Sequence, residues 1–208
     1  MKSYAQDNED LILYELLKDV KNGKYIDVGA NDPENYSVTK LFYDMGWTGI
    51  NIEPLAELYH ALKKARPNDI NLNCGLGEKH GKQTFYVDGM GSTFSQKVAE
   101  GYKKELREVE REIMTLQEVY EKYCKYWNDI HFCKIDVEGY EKNVLLGVKD
   151  WKSFRPWIFC MESTLPGTAT PCFEEWEYIL LENGYKLVKE HGINRYYMSN
   201  EALNNGKM

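Results

Sequence analysis

The fold of this chain is decided by residues 24–33, which read KYIDVGANDP. An apolar run ends there in an acid, a glycine and a polar turn, and residues 37–45 then follow a helical pattern. The pattern predicts a buried strand that leads through a tight turn into a helix, which is where open α/β sheets bind ligands. A turn built for pyrophosphate repeats glycine and keeps carboxylates away. Because this turn has one glycine beside Asp27, Asp32 and Glu34, it favours a ligand that carries positive charge and hydroxyl groups.

Composition and charge limit the class of protein. The 208 residues are 43% hydrophobic and 13% aromatic, which is typical of a packed globular protein rather than a disordered chain. The length predicts a single domain that covers residues 1–208. The net charge of -7 argues against the basic surface of a nucleic-acid binder, so no nucleic-acid partner is expected.

The cysteines and the hydropathy pattern predict where the protein resides. The five cysteines are scattered and form no C-x-x-C pair, which is typical of free thiols in a reducing compartment. No apolar run is long enough to span a bilayer, and the N-terminus lacks the apolar core of a signal peptide. We therefore expect a cytoplasmic protein without a transmembrane segment.

Strand and helix patterns alternate along the rest of the chain. After the first strand, the predicted strands lie at residues 47–52, 69–73, 83–87, 130–135 and 156–161. The charged residues 98–112 are predicted as a surface helix, and a hairpin is predicted over residues 185–198. This alternation predicts an α/β fold, with a mostly parallel sheet covered by helices on both faces and an antiparallel C-terminal hairpin at its edge.

Four acids follow or end predicted strands. They are Asp27, Glu53, Asp136 and Glu162. The carboxyl ends of parallel strands share one edge of a sheet, and clustered carboxylates repel each other, so the pattern indicates a cationic ligand, a metal or ligand hydroxyls. Glu53, at the end of the second strand, is placed to accept hydrogen bonds from both hydroxyls of a ribose. Together with the acidic first turn, the position of Glu53 favours S-adenosylmethionine over a nicotinamide dinucleotide. Carboxylates would neutralise the sulfonium and ammonium charges of S-adenosylmethionine.

Four blocks of sequence, in this order, resemble the FkbM-type methyltransferases. They are SYAQDNED at 3–10, YIDVGANDP at 25–33, GINIEP at 49–54 and KIDVEGYE at 134–141. Asn8 departs from the pattern, because the family often has glycine there. The resemblance implies a class I, Rossmann-like, doubly wound fold that uses S-adenosylmethionine and mostly methylates oxygen, often on sugars in glycans or on natural products. The region after Glu162 matches poorly, and we expect it to select the substrate.

The resemblance also implies a cofactor-binding set. It places Asp27, Gly29 and Asn31 at the methionine end, Glu53 at the ribose and Asn73 near the adenine. Gln6 and Asp10 would lie over the cofactor, and Asp136 would lie beside the transferred methyl. Further contacts are expected from Ser92 and Thr93, and from Asp32 and Pro54 of the same blocks.

Methyl transfer also needs a base that takes the proton of the acceptor. The candidates are Asp136, Glu138, Glu162 and His191, and the first two rank highest because they lie in the loop at the reactive end of the cofactor. Histidine side chains in general can act as bases near neutral pH. His191, however, lies in a predicted hairpin turn, where an ordinary exposed residue is an equal interpretation. No metal is predicted, although the three acids could alternatively hold a divalent cation together with the substrate.

The sequence therefore predicts an S-adenosylmethionine-dependent O-methyltransferase. Its predicted acceptor is a hydroxyl, or a phosphate-type oxygen, of a carbohydrate or glycan precursor. One alternative is a nicotinamide-dependent oxidoreductase, which would need a G-x-G-x-x-G turn that residues 27–33 lack. Another is a non-catalytic, cofactor-binding subunit of a glycan-assembly complex. No oligomeric state is predicted.

Overall fold

The predicted first strand lies near the middle of a seven-stranded sheet in a computed structural model that describes residues 1–204. The strands of the described chain are β1 (Lys24–Val28), β2 (Thr48–Ile52), β3 (Ile70–Leu72), β4 (Gly75–Leu76), β5 (Gly81–Val87), β6 (Arg107–Met114), β7 (Phe132–Ile135), β8 (Ile158–Glu162), β9 (Tyr185–His191) and β10 (Asn194–Ser199).

Eight α-helices connect or flank these strands within residues 1–204. They are α1 (Glu9–Leu17), α2 (Lys40–Asp44), α3 (Ala56–Ala65), α4 (Gln96–Gly101), α5 (Leu116–Val119), α6 (Glu141–Leu146), α7 (Glu177–Glu182) and α8 (Asn200–Asn204). A π-helical turn, Tyr120–Cys124, extends α5. In this described part of the chain, every helix is too short or too polar to cross a bilayer.

The order of strands in the main sheet is β3-β2-β1-β7-β8-β10-β9. β1 is parallel to both β2 and β7, and β10 is antiparallel to β8 and β9, so the predicted parallel sheet and its antiparallel C-terminal hairpin are both confirmed. The chain runs outward from β1 to β3 and then returns to β7 on the other side of β1. Such a reversal opens a crevice at the carboxyl ends of the strands.

Alternating side chains of β1 enter two hydrophobic clusters, one on each face of the sheet. Ile26 and Val28 belong to the larger cluster, which includes residues of α5, α6 and α7. Tyr25 belongs to the other cluster, together with residues of α1 and α2 such as Phe42. This period of two in a strand explains why residues 25–28 are an unbroken buried run.

Residues 98–112 do not form the predicted surface helix. They contain the end of α4 and most of β6, which pairs antiparallel with β5 in a second sheet of order β4-β6-β5. Val109 and Ile113 pack into a small cluster, and Arg111 on the same face donates to the Pro54 carbonyl at 2.6 Å. Glu110 and Glu112 face solvent between them, and Glu110 pairs with Lys82 across the strands at 2.9 Å. The high charge density concealed this period of two, and the helix prediction was wrong.

The first helix begins after a residue with unusual backbone geometry. Asn8 has φ of 62°, in the left-handed region that asparagine and glycine tolerate better than other residues. This geometry gives a physical reason for the glycine that the resembled family often has at that position.

Candidate active site

A cavity of about 610 Å³ lies at the carboxyl ends of the central strands. This volume is in the range of small-molecule sites. Its walls come from the turns after β1, β2, β7 and β8, from the glycine-rich loop 88–92 and from residues 164–169. Of the predicted site residues, the cavity brings together Gln6, Gly29, Asn31, Glu53, Pro54, Ser92, Asp136, Glu138 and Glu162.

Asp27 lies behind the cavity wall instead of lining it. It is buried within β1, and its Oδ2 accepts a hydrogen bond from the Thr39 hydroxyl at 2.7 Å. Its Oδ1 lies 3.4 Å from Lys134 Nζ. The carboxylate thus holds a neighbouring loop and a buried lysine in place.

Two further acids of the predicted set support local turns outside the cavity. Asp10 accepts hydrogen bonds from the Ser3 hydroxyl at 2.6 Å and the Tyr4 amide at 2.7 Å, and so fixes the N-terminal segment on α1. Asp32 accepts the backbone amides of residues 34 and 35, each at 2.8 Å, and these bonds lower its pKa despite the opposing effect of burial. Both acids shape the segments that carry cavity residues.

The remaining predicted residues also lie outside the cavity lining. Asn73 donates from Nδ2 to the carbonyl oxygens of Glu53 at 2.8 Å and Pro54 at 3.1 Å. Thr93 donates from its hydroxyl to the Glu138 carbonyl at 2.8 Å, so it ties the glycine-rich loop to the turn after β7. His191 is exposed at the end of β9.

Lys134 is a site residue that the sequence analysis missed. Its ammonium group donates to the Gly29 carbonyl at 2.8 Å and lies 3.4 Å from both Asp27 Oδ1 and Asp136 Oδ2. Burial lowers the pKa of Lys134, but the charges of Asp136 and Asp27 outweigh that effect and raise it overall, so the lysine stays cationic. The signal in the sequence is a lysine inside an apolar strand, two residues before Asp136.

Arg66 is the second residue that was missed, and it is fully buried. It donates to the Thr39 hydroxyl at 2.5 Å, and to the Pro33 carbonyl and the Ser37 hydroxyl, each at 2.6 Å. Since Thr39 in turn donates to Asp27, the guanidinium fixes the whole segment between β1 and α2.

Glu53 is positioned by the backbone on both sides of it. Its Oε2 accepts the Asn31 amide at 2.9 Å, and its Oε1 accepts the Leu55 amide at 2.8 Å. Burial raises the pKa of Glu53 to about 7, although these hydrogen bonds oppose the shift. A carboxylate has about four acceptor positions, so about two remain for a ligand.

Three carboxylates meet at the other end of the cavity, and we call Asp136, Glu138 and Glu162 the acid trio. Each contributes an oxygen within 4.8 Å of the others. Burial, followed by the charge of Asp136, raises the pKa of Glu138 to about 8. Burial also raises the pKa of Glu162 well above its usual range.

The turn that carries two members of the trio is held by an internal acid. Glu141 Oε1 accepts the Val137 amide at 3.1 Å and the Gly139 amide at 3.2 Å. Glu138 and Gly139 both have left-handed backbones, with φ of 55° and 83°. A non-glycine residue rarely adopts this geometry, and such strain persists where the surroundings enforce it, commonly at functional sites.

The sequence pattern of the methyltransferase FkbM domain matches residues 27–187, well over half of the chain. The chain belongs to the FkbM methyltransferase family. This confirms the predicted family, and with it the class of the domain, an S-adenosylmethionine-dependent methyltransferase.

Solved structures support the fold of this FkbM domain. It is similar to methyltransferase FkbM from Methylobacillus flagellatus KT, with a TM-score of 0.57 and 16% sequence identity. The match covers 94% of this chain and 48% of that one, so the chain spans about half the length of that protein.

Two weaker structural matches accompany it. A TehB-like SAM-dependent methyltransferase from Corynebacterium glutamicum has a TM-score of 0.48 and 8% identity, over 92% of this chain and 86% of that one. A SAM-dependent methyltransferase from Thiobacillus denitrificans, in complex with S-adenosyl-L-homocysteine, has a TM-score of 0.38 and 11% identity, over 91% of this chain and 68% of that one. A search of curated protein sequences gives no significant match.

The cavity of this FkbM domain fits S-adenosylmethionine by the chemistry of its walls. The unused acceptor positions of Glu53 suit the two ribose hydroxyls, and the carboxylates of the acid trio suit cationic groups. Apolar side chains suited to an adenine ring line the same cavity, namely Leu55, Leu58, Leu76, Phe85 and Phe94.

Tyr36 is a third residue that the sequence analysis missed, and it lines the cavity. It is 58% exposed and has a left-handed backbone with φ of 56°. A bulky residue in that region is an outlier, which is commonly a mark of function. An exposed tyrosine just after the acidic turn is the signal that could have identified it.

Proposed function

We propose that the chain transfers a methyl group from S-adenosylmethionine to a hydroxyl oxygen of a carbohydrate or glycan precursor. The observation that carries this proposal is the acid trio, three carboxylates within 4.8 Å of one another in the same cavity as Glu53. Carboxylates serve as proton acceptors for a hydroxyl nucleophile and hydrogen-bond readily to neighbouring sugar hydroxyls. Without a bound cation they repel a phosphate, which favours a hydroxyl over the phosphate-type oxygen that the sequence left open.

In this proposal the cofactor end of the cavity is organised by the turns after β1 and β2. Glu53 accepts the ribose hydroxyls, while Gly29, Asn31 and Gln6 line the path of the methionine moiety. Asp10, Asp27, Asp32, Asn73 and Thr93 support these segments from behind the wall. Bound S-adenosylmethionine supplies an electrophilic methyl group.

At the other end, the acid trio binds and activates the acceptor. Asp136 and Glu138 are the first candidates to take the hydroxyl proton, since both line the cavity and remain partly exposed. Lys134 orients Asp136 from below at 3.4 Å. His191 lies outside the cavity, so the proposal assigns the base to the three acids.

Residues 164–169 close the acceptor side of the cavity. The family pattern extends through them to residue 187, so the poor match expected after Glu162 is corrected. Thr164 and Thr168 line the cavity there and add hydroxyl groups that hydrogen-bond to polar acceptors. This wall supports the proposal that the segment after β8 selects the acceptor.

The cysteines bear on the location that we propose. All five are unpaired, and four of them are buried. Free thiols of this kind are typical of a reducing compartment, which supports a cytoplasmic location.

A two-step experiment tests this function. Calorimetry first measures whether the purified chain binds S-adenosylmethionine. Labelled cofactor is then incubated with neutral glycosides, nucleotide-linked sugars and surface glycans, with Asp136→Asn as the matched variant. We expect transfer to a neutral hydroxyl, and turnover by Asp136→Asn that falls more than its cofactor affinity.

The alternatives give different results. An absence of cofactor binding would overturn the proposal. Cofactor binding without transfer to any acceptor, together with tight association with another protein, would instead favour the non-catalytic subunit.

A further inference from the structure

We propose that the acid trio binds a divalent cation of the Mg²⁺ or Mn²⁺ type, and that this ion holds the acceptor oxygen. The role of the ion in acceptor binding rests on the proposed function, whereas binding of the cation itself does not.

The trio has the size of a single coordination sphere. One oxygen from each of the three carboxylates lies within 4.8 Å of the other two. Oxygens that share one ion with bond lengths of about 2.1 to 2.4 Å lie about 3 Å apart when they are neighbours and about 4 to 5 Å apart when they are opposite, so the limit of 4.8 Å covers both cases. Asp136 and Glu138 follow β7 and Glu162 ends β8, its parallel neighbour, so the ligands come from two adjacent strands of the main sheet.

An unpartnered buried oxygen is a second and separate observation. Glu162 is 5% exposed, and its Oε2 accepts no hydrogen bond from any residue in the described part of the chain. A buried acceptor without a partner is unfavourable, and a charged one is more so. Since Glu162 lines the cavity, a cation bound there would satisfy this oxygen.

The surrounding charges leave the trio uncompensated. Among residues 1–204, the cationic side chain in contact with it is Lys134, which lies 3.4 Å from Asp136 but is also engaged by Asp27 and the Gly29 carbonyl. Three carboxylates are hard oxygen ligands, and the trio contains no histidine or cysteine, so the donor set favours Mg²⁺, Mn²⁺ or Ca²⁺ over zinc.

The ion would face the cavity with part of its coordination sphere open. Three carboxylate oxygens leave about three positions of an octahedral ion for water or for oxygens of the acceptor. A sugar that presents two neighbouring hydroxyls could occupy two of them, which fixes the reacting oxygen relative to the cofactor.

Binding of Mn²⁺ tests the proposal directly. The full chain is freed of metal and titrated with Mn²⁺, and free Mn²⁺ is measured by electron paramagnetic resonance, with and without S-adenosylhomocysteine. We expect one site per chain, from which Mg²⁺ displaces Mn²⁺. Glu162→Gln and Glu138→Gln should each weaken binding by at least about tenfold, since even partners outside the ligand set contribute that much.

Controls separate this result from a general charge effect. Glu108→Gln removes one negative charge from the exposed face of β6 and should bind Mn²⁺ like the unmodified chain. Glu138 is only partly buried, so its variant tests the site even if Glu162→Gln does not fold. Saturable binding that is unchanged in both trio variants, or no saturable binding at all, would overturn the proposal.

The outcome is distinguishable from failure of the proposed function. A chain that binds S-adenosylhomocysteine but not Mn²⁺ contains no cation site, and the trio then shares a proton instead. A chain that binds Mn²⁺ through the trio but not S-adenosylhomocysteine keeps the cation site and loses the methyltransferase proposal.

Discussion

Replacing Gly29 by alanine should damage both the stability and the site of this domain. Gly29 has φ of 77°, and a Cβ atom there would lie 2.0 Å from the Asp136 carbonyl oxygen. The left-handed backbone alone costs an alanine about 1–2 kcal/mol. The contact with a neighbouring backbone adds about 1–3 kcal/mol, as overpacking does in cores. We therefore expect the free energy of unfolding to fall by about 2–5 kcal/mol.

Gly167 provides a matched control for this substitution. Its φ is 65°, but no atom lies within 4 Å of where its Cβ would be, and it also lines the cavity. Gly167→Ala should therefore lose only the backbone contribution of about 1–2 kcal/mol.

Urea unfolding followed by circular dichroism compares the two variants, and calorimetry with S-adenosylhomocysteine reports on the site. Relief of the contact must move the turn after β1 away from the end of β7, which would also disturb the bond from Lys134 to the Gly29 carbonyl. Cofactor affinity should fall by about tenfold or more in Gly29→Ala, equivalent to about 1.4 kcal/mol. If Gly29→Ala is as stable as Gly167→Ala, the close contact with the Asp136 carbonyl is not the reason that position 29 requires glycine.

Three further substitutions test other parts of the site. Lys134→Met leaves the buried Asp27 charge without its cation, so the free energy of unfolding in urea should fall by about 3–5 kcal/mol. Adding Asp27→Asn should restore part of this loss, and a loss below about 1 kcal/mol in the single variant would contradict the argument. Because burial raises the pKa of Glu53 to about 7, the stability from its bound proton is complete below about pH 4.5 and is lost as the pH rises through 7, about 3 kcal/mol in all. The unfolding free energy of Glu53→Gln should therefore fall less over this pH window than that of the unmodified chain, and equal slopes would count against the burial argument. The stability of Tyr36→Gly should stay within about 1 kcal/mol of the unmodified chain, because glycine adopts the left-handed backbone without strain and this gain offsets its entropy cost. The variant should nevertheless bind S-adenosylhomocysteine more weakly, and an unchanged affinity would show that Tyr36 is not part of the site.

Local patterns were sufficient to predict the main sheet. Apolar runs that end in acids marked β2, β7 and β8, since buried strands and their terminal turns are encoded by neighbouring residues. The same reasoning failed for β6, because the residues that cover one of its faces, such as Leu55 and Phe94, are distant in the sequence. A charged strand that is covered on one face only is hard to distinguish from an amphipathic helix.

The candidate site was predicted in outline, and its buried charges were not. Glu53 and the acid trio line the cavity as the strand ends indicated. Lys134 and Arg66 went unnoticed because each acts on groups that are distant in the sequence, such as Gly29 and Thr39. Asp27 was predicted at the end of β1, but the strand continues to Val28 and Asp27 is buried within it. A strand boundary read from sequence is not accurate to one residue, so the two positions could not be distinguished.

The second sheet makes this domain a good recipient for chimeras. Residues 75–114 are contiguous, and Gly75 pairs with Ile113 at the two ends of the segment, so a replacement could enter and leave the domain at adjacent points. The segment lies in a sheet of its own, so its exchange would cut no strand of the seven-stranded sheet. Since it contributes residues 88–92 to the cavity wall, grafting this segment from other family members is a direct route to hybrid enzymes with an altered pocket.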